Sequence, residues 1–312
     1  MPDIPDQIII GTRGSPLALQ QTEMVRAALS RRWPKLRLDL RVLHTTGDRV
    51  PDTALAGIGE KGLFTKELER ALLDGQIDLA VHSLKDLPTA SPTGLRIAAV
   101  PAREDPADAL VSKNGRRLED LAPGAAVLTG SLRRRAQLLH RRPDLRIEDV
   151  RGNVQTRLRK LDEGPASALV MAAAALKRLD LAARITQRLA PESFLPACGQ
   201  GALALEIRAD DPQTAALVEP LDDRAARLAT TAERTVLATL EGGCQVPLGA
   251  YASLEGETLR LQALIADPDG RRLVAAQAAG PADDPERLGR RVADLLLDQG
   301  GRDILAQIRN DA

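Results

Sequence analysis

The chain has 312 residues, with 43 basic and 43 acidic side chains, and this length is enough for two or three domains of ordinary size. Because the net charge is zero and no apolar stretch approaches the ~20 residues that span a bilayer, the composition indicates neither a nucleic-acid nor a membrane partner. Two cysteines without paired spacing, three histidines and a start without signal-peptide character predict a cytoplasmic protein with no disulfide framework and no metal site.

The first hundred residues alternate strand-like and helix-like segments. Residues 7–10 predict a buried strand and 11–14 a turn, and Ser15 with Pro16 predicts the N-cap and first turn of a helix to about Arg32. A strand at 36–42, a helix at 63–73 and a strand at 78–81 follow. Arg13 thus stands where a strand meets a helix N-terminus, a common anion site, although a single such arginine is more often a solvated loop charge.

The segment 44–62 is predicted to be a loop, either a mobile lid with a basic tip or a plain flexible connection. It contains glycines 57, 59 and 62, which match the G-x-G-x-x-G spacing of dinucleotide sites. That motif must follow a strand, and the residues before it are not strand-like, so a nicotinamide-dependent oxidoreductase is a weak hypothesis.

Polar groups from His82 to Asp86 gather where the strand at 78–81 ends. Such a concentration exceeds what packing requires and indicates a functional site at this strand's carboxyl end. The alternative is that Lys85 and Asp86 form only a surface ion pair.

The middle of the chain repeats this design with arginines at the strand ends. Strands are predicted at 125–128, 145–150 and 168–171, and each leads into a helix that carries basic residues. From Arg133 to Lys160 there are ten Lys or Arg residues against three acids. Because guanidinium binds carboxylates in bidentate fashion, we predict that this segment binds carboxylates.

Two extended segments, 95–100 and 108–112, are predicted to cross between two lobes, and a strand at 202–207 to return the chain to the first lobe. Strand-like runs at 248–253, 258–266 and 272–278, with helices at 285–297 and from Asp303, predict a small α+β domain.

Cys244 follows a predicted helix at 221–240 that Gly242 and Gly243 terminate. A helix C-terminus disfavours thiolate, so Cys244 fits a site of covalent attachment better than a recycling nucleophile. A buried structural cysteine is an equally good interpretation of the local sequence.

Motifs along nearly the whole chain resemble porphobilinogen deaminase, also called hydroxymethylbilane synthase; they lie at residues 13–19 (RGSPLAL), 81–86 (VHSLKD), 131–134 (SLRR), 151–154 (RGNV) and 241–247 (EGGCQVP). The resemblance implies an α/β fold with two periplasmic-binding-protein-like (type II) lobes and a small C-terminal α+β domain. It places lobe 1 at 1–101 and 200–219, lobe 2 with its arginine-rich cleft at 102–199, and the cofactor-carrying domain at 220–312.

The resemblance also implies the activity, a transferase reaction of tetrapyrrole (haem) biosynthesis. Four porphobilinogen units are joined head to tail with loss of ammonia to give hydroxymethylbilane, and the product is built on a dipyrromethane cofactor held as a thioether by Cys244. The expected state is a cytoplasmic monomer. The rival hypothesis is a cytoplasmic two-lobed protein that binds small anions without catalysis and leaves Cys244 unmodified.

Residue by residue, the resemblance assigns the catalytic role to Asp86 and the binding of substrate or cofactor carboxylates to Arg13, Arg133, Arg134, Arg151, Arg157 and Arg178. Supporting contacts in the same cleft are assigned to Ser15, Lys61, Ser83, Lys85, Thr129, Ser131 and Gln200. The sequence departs from the family pattern at Gly57, Gly130, Ala175 and Asp180. It also has an extra thiol, Cys198, that we interpret as a small packing residue, the alternative being a site for a competing adduct.

Overall fold

The structure, a computed structural model, describes residues 5–43, 65–240 and 246–310. Its contacts divide the chain into two compact units, Met1–Glu104 with Gly201–Arg227 and Asp105–Gln200 with Leu228–Ala312. Within the described ranges, no helix combines the length and the apolarity that crossing a bilayer requires. The finer division into three domains stays a prediction.

Strands and helices of the described residues are numbered here along the chain. The strands are β1 Gln7–Arg13, β2 Arg37–Leu43, β3 Leu79–Ser83, β4 Leu95–Ala99, β5 Asp108–Ser112, β6 Ala126–Leu128, β7 Arg146–Glu148, β8 Ala168–Ala172, β9 Gln187–Leu189, β10 Leu203–Arg208, β11 Leu248–Glu255, β12 Thr258–Ala266 and β13 Leu273–Pro281. The helices are α1 Pro16–Arg32, α2 Lys66–Leu73, α3 Leu132–Arg141, α4 Val154–Glu163, α5 Ala173–Arg178, α6 Pro212–Val218, α7 Arg224–Thr239, α8 Pro285–Leu296 and α9 Arg302–Asn310.

The sheet of the first unit has the order β2-β1-β3-β10-β4. β1 is parallel to β2 and β3, and β10 is antiparallel to both of its neighbours. The predicted return of the chain to the first lobe at 202–207 is confirmed, because β10 enters this sheet after the chain has built a sheet elsewhere.

The first strand–helix junction differs from the sequence prediction in one respect. Residues 11–13 are strand and not turn, because the pairing of β1 with β2 continues through Arg13 and Leu43. Helix α1 begins as predicted, with the Ser15 side chain accepting a hydrogen bond from the Ala18 amide at 3.3 Å. Its buried face packs with Ile8 and Ile10 of β1 in the core of this unit.

The second unit contains a sheet of the same design, in the order β7-β6-β8-β5-β9. Three parallel strands are followed by one antiparallel strand, β5, and by β9, which pairs antiparallel with β5. In both sheets the parallel strands bring their carboxyl ends to one edge, and this edge is where open α/β sheets bind ligands. The predicted repetition of the design is therefore confirmed.

The second unit also contains an antiparallel sheet, β11-β12-β13, covered by α8, α9 and the part of α7 from Leu228 onward. The turn before β13 packs on α3 at Gly270, where a Cβ would lie 2.2 Å from the Ala136 carbonyl oxygen. Gly270 has φ +68, which glycine adopts without strain, and its carbonyl accepts a hydrogen bond from His140 Nδ1 at 3.0 Å. Only glycine therefore fits this contact.

Candidate functional site

At the carboxyl edge of the first sheet lie Arg13 and Ser83, which end the adjacent parallel strands β1 and β3. The Ser83 hydroxyl exchanges hydrogen bonds with the Gln21 carboxamide of α1 at 2.9 and 3.2 Å. Ser15 caps α1 directly after Arg13. Three of the predicted residues are thus brought to one edge of this unit.

Lys85 and Asp86 lie in a short 3₁₀ turn, Leu84–Asp86, that follows β3. The turn is fixed by Leu84, which is buried and whose amide donates to the Ala202 carbonyl at 3.0 Å. Both charged side chains are exposed. The turn therefore leaves the Asp86 carboxylate exposed at a strand end.

A buried polar pair precedes these residues. His82 Nε2 lies 3.0 Å from Glu206 Oε2, and both side chains are almost fully buried. His82 lies on β3 and Glu206 on the antiparallel strand β10, two positions away from Ala204, which pairs with His82. This diagonal contact ties β3 to β10 close to Ser83, where β3 ends and β10 begins.

At the carboxyl edge of the second unit's five-stranded sheet, Thr129 follows β6 and is buried. Ser131 caps α3, accepting from the Arg134 amide at 3.4 Å. Arg157 Nε donates to the Gly152 carbonyl at 2.7 Å, and Arg178 ends α5 with 8% of its surface exposed.

Arg151 follows β7 and forms an ion pair with Asp149 at 2.9 Å. Its side chain is 32% exposed and that of Asp149 is 57% exposed. Solvent therefore screens this pair, which keeps its contribution small.

Arg133 and Arg134 share one carboxylate, that of Asp108. Arg133 Nη1 lies 2.7 Å from Asp108 Oδ2, and Arg134 Nε and Nη2 lie 2.9 and 2.8 Å from Oδ1. Asp108 is fully buried at the start of β5, and the two arginines are 5% and 6% exposed. This is a charge-assisted cluster in a dry environment, which strengthens each of its contacts.

The two guanidinium groups hold the pKa of Asp108 well below its ordinary value, although burial alone would raise it. Burial lowers the pKa of Arg134, and Asp108 offsets part of that effect. Asp108 is the one acid that the described residues place in ion-pair contact with either guanidinium. The cluster therefore keeps one positive charge in excess.

Gln200 completes this cluster. Its side chain is fully buried, and its Nε2 donates to Asp108 Oδ1 at 2.9 Å and to the Pro106 carbonyl at 2.8 Å. Its Oε1 accepts from Arg134 Nη2 at 3.2 Å. The sequence predicted Gln200 as a ligand contact, and the structure places its carboxamide among the supports of Arg134.

Sequence reasoning missed Asp108, whose only signal is an acid that opens the strand 108–112 directly before three apolar residues. It also missed Glu233, a fully buried carboxylate of α7 that accepts from the Gly199 amide at 2.8 Å and from the Ala252 amide at 2.9 Å. Cys244, Lys61 and Gly57 lie outside the described residues.

The structure shows the local environment of three positions at which the sequence departs from the family pattern. Asp180 has φ +57, in the left-handed region that favours glycine. A Cβ on Gly130 would lie 2.8 Å from the Val150 carbonyl oxygen, so a side chain there would require the backbone to move. Cys198 is buried in the core formed with the antiparallel sheet, as expected of a packing residue.

The Asp108 cluster suits an acid-bearing group. Arg133 Nε is buried and has no hydrogen-bond partner among the described residues, and the excess charge there is positive. A ligand carboxylate would accept a hydrogen bond from this nitrogen and would also compensate the excess positive charge. No group of three or more potential metal-ligating side chains occurs within the described ranges.

Comparison with known proteins gives consistent findings. A family model described as porphobilinogen deaminase, dipyromethane cofactor binding domain, matches residues 8–216, and one described as porphobilinogen deaminase, C-terminal domain, matches residues 227–298. A porphobilinogen deaminase of Desulforudis audaxviator is 53% identical over 98% of this chain and 99% of that protein. One of Syntrophobacter fumaroxidans is 49% identical over 97% of this chain and 98% of that protein.

Among solved structures, the periplasmic aliphatic sulphonate binding protein SsuA from Escherichia coli is similar to this chain. The match has a TM-score of 0.42 and 15% identity, and it covers 77% of this chain and 72% of that one.

Proposed function

The chain belongs to the porphobilinogen deaminase family, and from this premise we propose the roles of its residues in hydroxymethylbilane synthesis. The enzyme condenses four porphobilinogen molecules, each losing ammonia, on a dipyrromethane cofactor. We propose that its two mixed five-stranded sheets belong to two type II periplasmic-binding-protein-like lobes of an α/β fold, and that the antiparallel sheet belongs to a small C-terminal α+β domain.

We assign the carboxylates of substrate and cofactor to the arginines at the strand ends. The observation that carries this assignment is the Asp108 cluster, where two buried guanidinium groups face a single protein carboxylate. A buried positive charge is costly unless an anion compensates it. The acetate and propionate arms of a pyrrole supply such anions, and the arms multiply as the chain of pyrroles grows. We assign the binding of further carboxylates to four other arginines, Arg13, Arg151, Arg157 and Arg178. Supporting contacts are assigned to Ser15, Ser83, Lys61, Lys85, Thr129, Ser131 and Gln200.

Asp86 is the residue to which we assign catalysis. When porphobilinogen loses ammonia, a cationic azafulvene remains, and a carboxylate close to this positive charge stabilises it. Asp86 is supported in this role by its exposed position on a fixed turn at a strand end. The cofactor, when bound, supplies the pyrrole carbon that attacks this cation.

Cys244 is the residue to which we assign the thioether. Helix α7 ends at Thr239, and the next residue, Leu240, is buried in the core. The segment 241–245 that contains Cys244 therefore begins directly after an anchored residue. An unactivated sulfur suits an anchor that must survive every catalytic cycle. We further propose a cytoplasmic monomer, a transferase that takes porphobilinogen and neither nucleic acid nor membrane as a partner.

Intact-mass analysis tests this function because the chain has two cysteines that serve as each other's control. Protein from cells that make porphobilinogen should exceed its polypeptide mass by two condensed porphobilinogen units. The excess should be absent in Cys244→Ser and retained in Cys198→Ser, since Cys198 is buried in a core. A bare polypeptide mass for the unmodified sequence would instead favour the anion-binding protein without catalysis.

A further inference from the structure

We propose that Asp108 is a positioning residue, which orients Arg133 and Arg134 so that together they bind a carboxylate of the dipyrromethane or of the growing chain. The inference rests on the proposed function and adds a residue to it. Asp108 touches neither substrate nor cofactor in this proposal, because its carboxylate is fully buried and accepts hydrogen bonds from the two guanidinium groups and from Gln200.

The position of Asp108 is fixed on every side. Its backbone pairs with Ala172 of β8 and with Leu189 of β9, so it lies inside the sheet and not at an edge. Its side chain receives hydrogen bonds from two arginines and from Gln200. A carboxylate held in this way has no rotational freedom, and it transfers that rigidity to the groups it binds.

The donors of the two arginines are used unequally. Arg134 gives Nε and Nη2 to Asp108, Nη2 also to Gln200, and Nη1 to the Val170 carbonyl. Arg133 gives Nη1 to Asp108 and to the Leu195 carbonyl, while its Nε has no partner among the described residues. A guanidinium has five N–H donors, so Arg133 keeps donors for a ligand. The geometry thus leaves Arg133 more donors for the incoming carboxylate than Arg134, most of whose donors hold Asp108, Gln200 and the Val170 carbonyl.

Two interpretations of Asp108 predict opposite results. If it only balances charge, its neutralisation leaves a stronger positive field, and anions should bind more tightly. If it positions the guanidinium groups, its neutralisation removes their shared acceptor, the two buried cations repel and turn apart, and anions should bind more weakly. Charge-assisted hydrogen bonds of this kind are strong enough for an effect of about tenfold or more.

The chain offers a matched control in Asp105. This carboxylate also holds two cations, Lys177 at 3.0 Å and Arg188 at 2.9 Å, and its side chain is 7% exposed. It belongs to the same unit, and its ion pairs among the described residues are with these two cations and not with Arg133 or Arg134. Asp105→Asn therefore removes a comparable ion-pair acceptor without changing the proposed ligand contact.

The experiment compares Asp108→Asn, Asp108→Glu and Asp105→Asn. For each, the rate at which apo-protein acquires the adduct is followed by intact mass, and KM for porphobilinogen and kcat are measured on loaded enzyme. We expect Asp108→Asn to slow adduct formation and to raise KM about tenfold or more, with a smaller effect on kcat. Asp105→Asn should leave both the adduct rate and KM within about twofold of the unmodified protein, because the cations that Asp105 pairs with are Lys177 and Arg188 and not Arg133 or Arg134.

Asp108→Glu keeps the charge and moves the carboxylate by one methylene, so it remains informative if Asp108→Asn does not fold. Positioning requires Asp108→Glu to raise KM, whereas charge balance alone leaves KM unchanged. An unchanged KM in Asp108→Glu, a lowered KM in Asp108→Asn, or an equal rise in Asp105→Asn would each overturn the proposal. A missing adduct in the unmodified protein would instead overturn the proposed function.

Discussion

Glu233 should be a major source of stability for the part of the second unit that leads to Cys244. Its carboxylate is fully buried and accepts one backbone hydrogen bond from Gly199, before β10, and one from Ala252 of β11. The side chain thus joins α7 to two other segments of the chain. Glu233→Met keeps approximately the length of the side chain and removes both acceptors, which leaves two buried N–H groups without their partner.

The size of the effect follows from the two contacts. A hydrogen bond to a charged group contributes about 1.5–3 kcal/mol, so the loss of two should cost about 3–6 kcal/mol. Glu233→Gln keeps one acceptor oxygen but turns an amide toward a second N–H donor, so we expect an intermediate loss of about 1–3 kcal/mol. If the loss is local, opening at Gly199 and Ala252 becomes at least about a hundredfold more frequent.

Two measurements check this prediction. Urea unfolding followed by circular dichroism gives the loss of stability, and hydrogen–deuterium exchange of peptides that contain Gly199 and Ala252 gives the local opening. The control is Glu255→Gln, which removes an exposed ion pair with Arg260 in the same antiparallel sheet and should cost less than about 1 kcal/mol. A loss below about 1 kcal/mol in Glu233→Met, with unchanged exchange at both amides, would refute the reasoning.

Three further changes have defined outcomes. Asp86→Asn should lower kcat at least about a hundredfold while the adduct still forms, since it removes the charge that stabilises the cation; near-normal ammonia release would exclude Asp86 from catalysis. Hydrogen bonds from Arg188, the Ala107 amide and Lys177 outweigh burial and lower the pKa of Asp105 to about 2 from 3.8. Asp105 therefore stabilises the fold above pH 3.8 and loses this effect as the pH falls through about 2. The free energies of unfolding of Asp105→Asn and the unmodified protein, measured as a function of pH, should therefore converge toward pH 2. Asp180→Val should cost about 1–2 kcal/mol in urea unfolding and Asp180→Gly much less, because φ is +57 there; equal losses would contradict this.

Hydrophobic periodicity predicted the elements of this chain closely. The strand predicted at 258–266 has those bounds in β12, and the helix predicted from Pro16 to about Arg32 has them in α1. Local chemistry marks where both elements begin, since Ser15 caps the start of the helix and buried and exposed residues alternate over the first part of the strand. The prediction of a turn at 11–14 is wrong because it considers only the local preference of Gly11 for turns. The strand conformation of this residue depends on pairing with β2 and β3, which are distant in sequence.

The same limit applies to the site. Sequence motifs and strand ends predicted where arginines stand, but not what each arginine contacts. Asp108 is 25 residues from Arg133, and their contact exists because β5 runs antiparallel beside β8 within the sheet. No spacing rule along the chain encodes that pairing. The protein carboxylates that pair with the arginines are therefore the part of the site that only the structure identifies.

Counting arginines overstates the positive charge that a ligand meets, because protein carboxylates already hold some of it at very different strengths. The Arg151–Asp149 pair is partly exposed, so solvent screens it and a ligand carboxylate can replace Asp149 at little cost. The Asp108 cluster is buried, so removing Asp108 from either arginine would leave an uncompensated charge at a cost of several kcal/mol. We therefore expect Arg151 to exchange its partner as successive carboxylates arrive, while Arg133 and Arg134 keep one arrangement throughout. A site that must hold oligomers of several lengths needs both kinds of arginine, one that adapts and one that stays fixed.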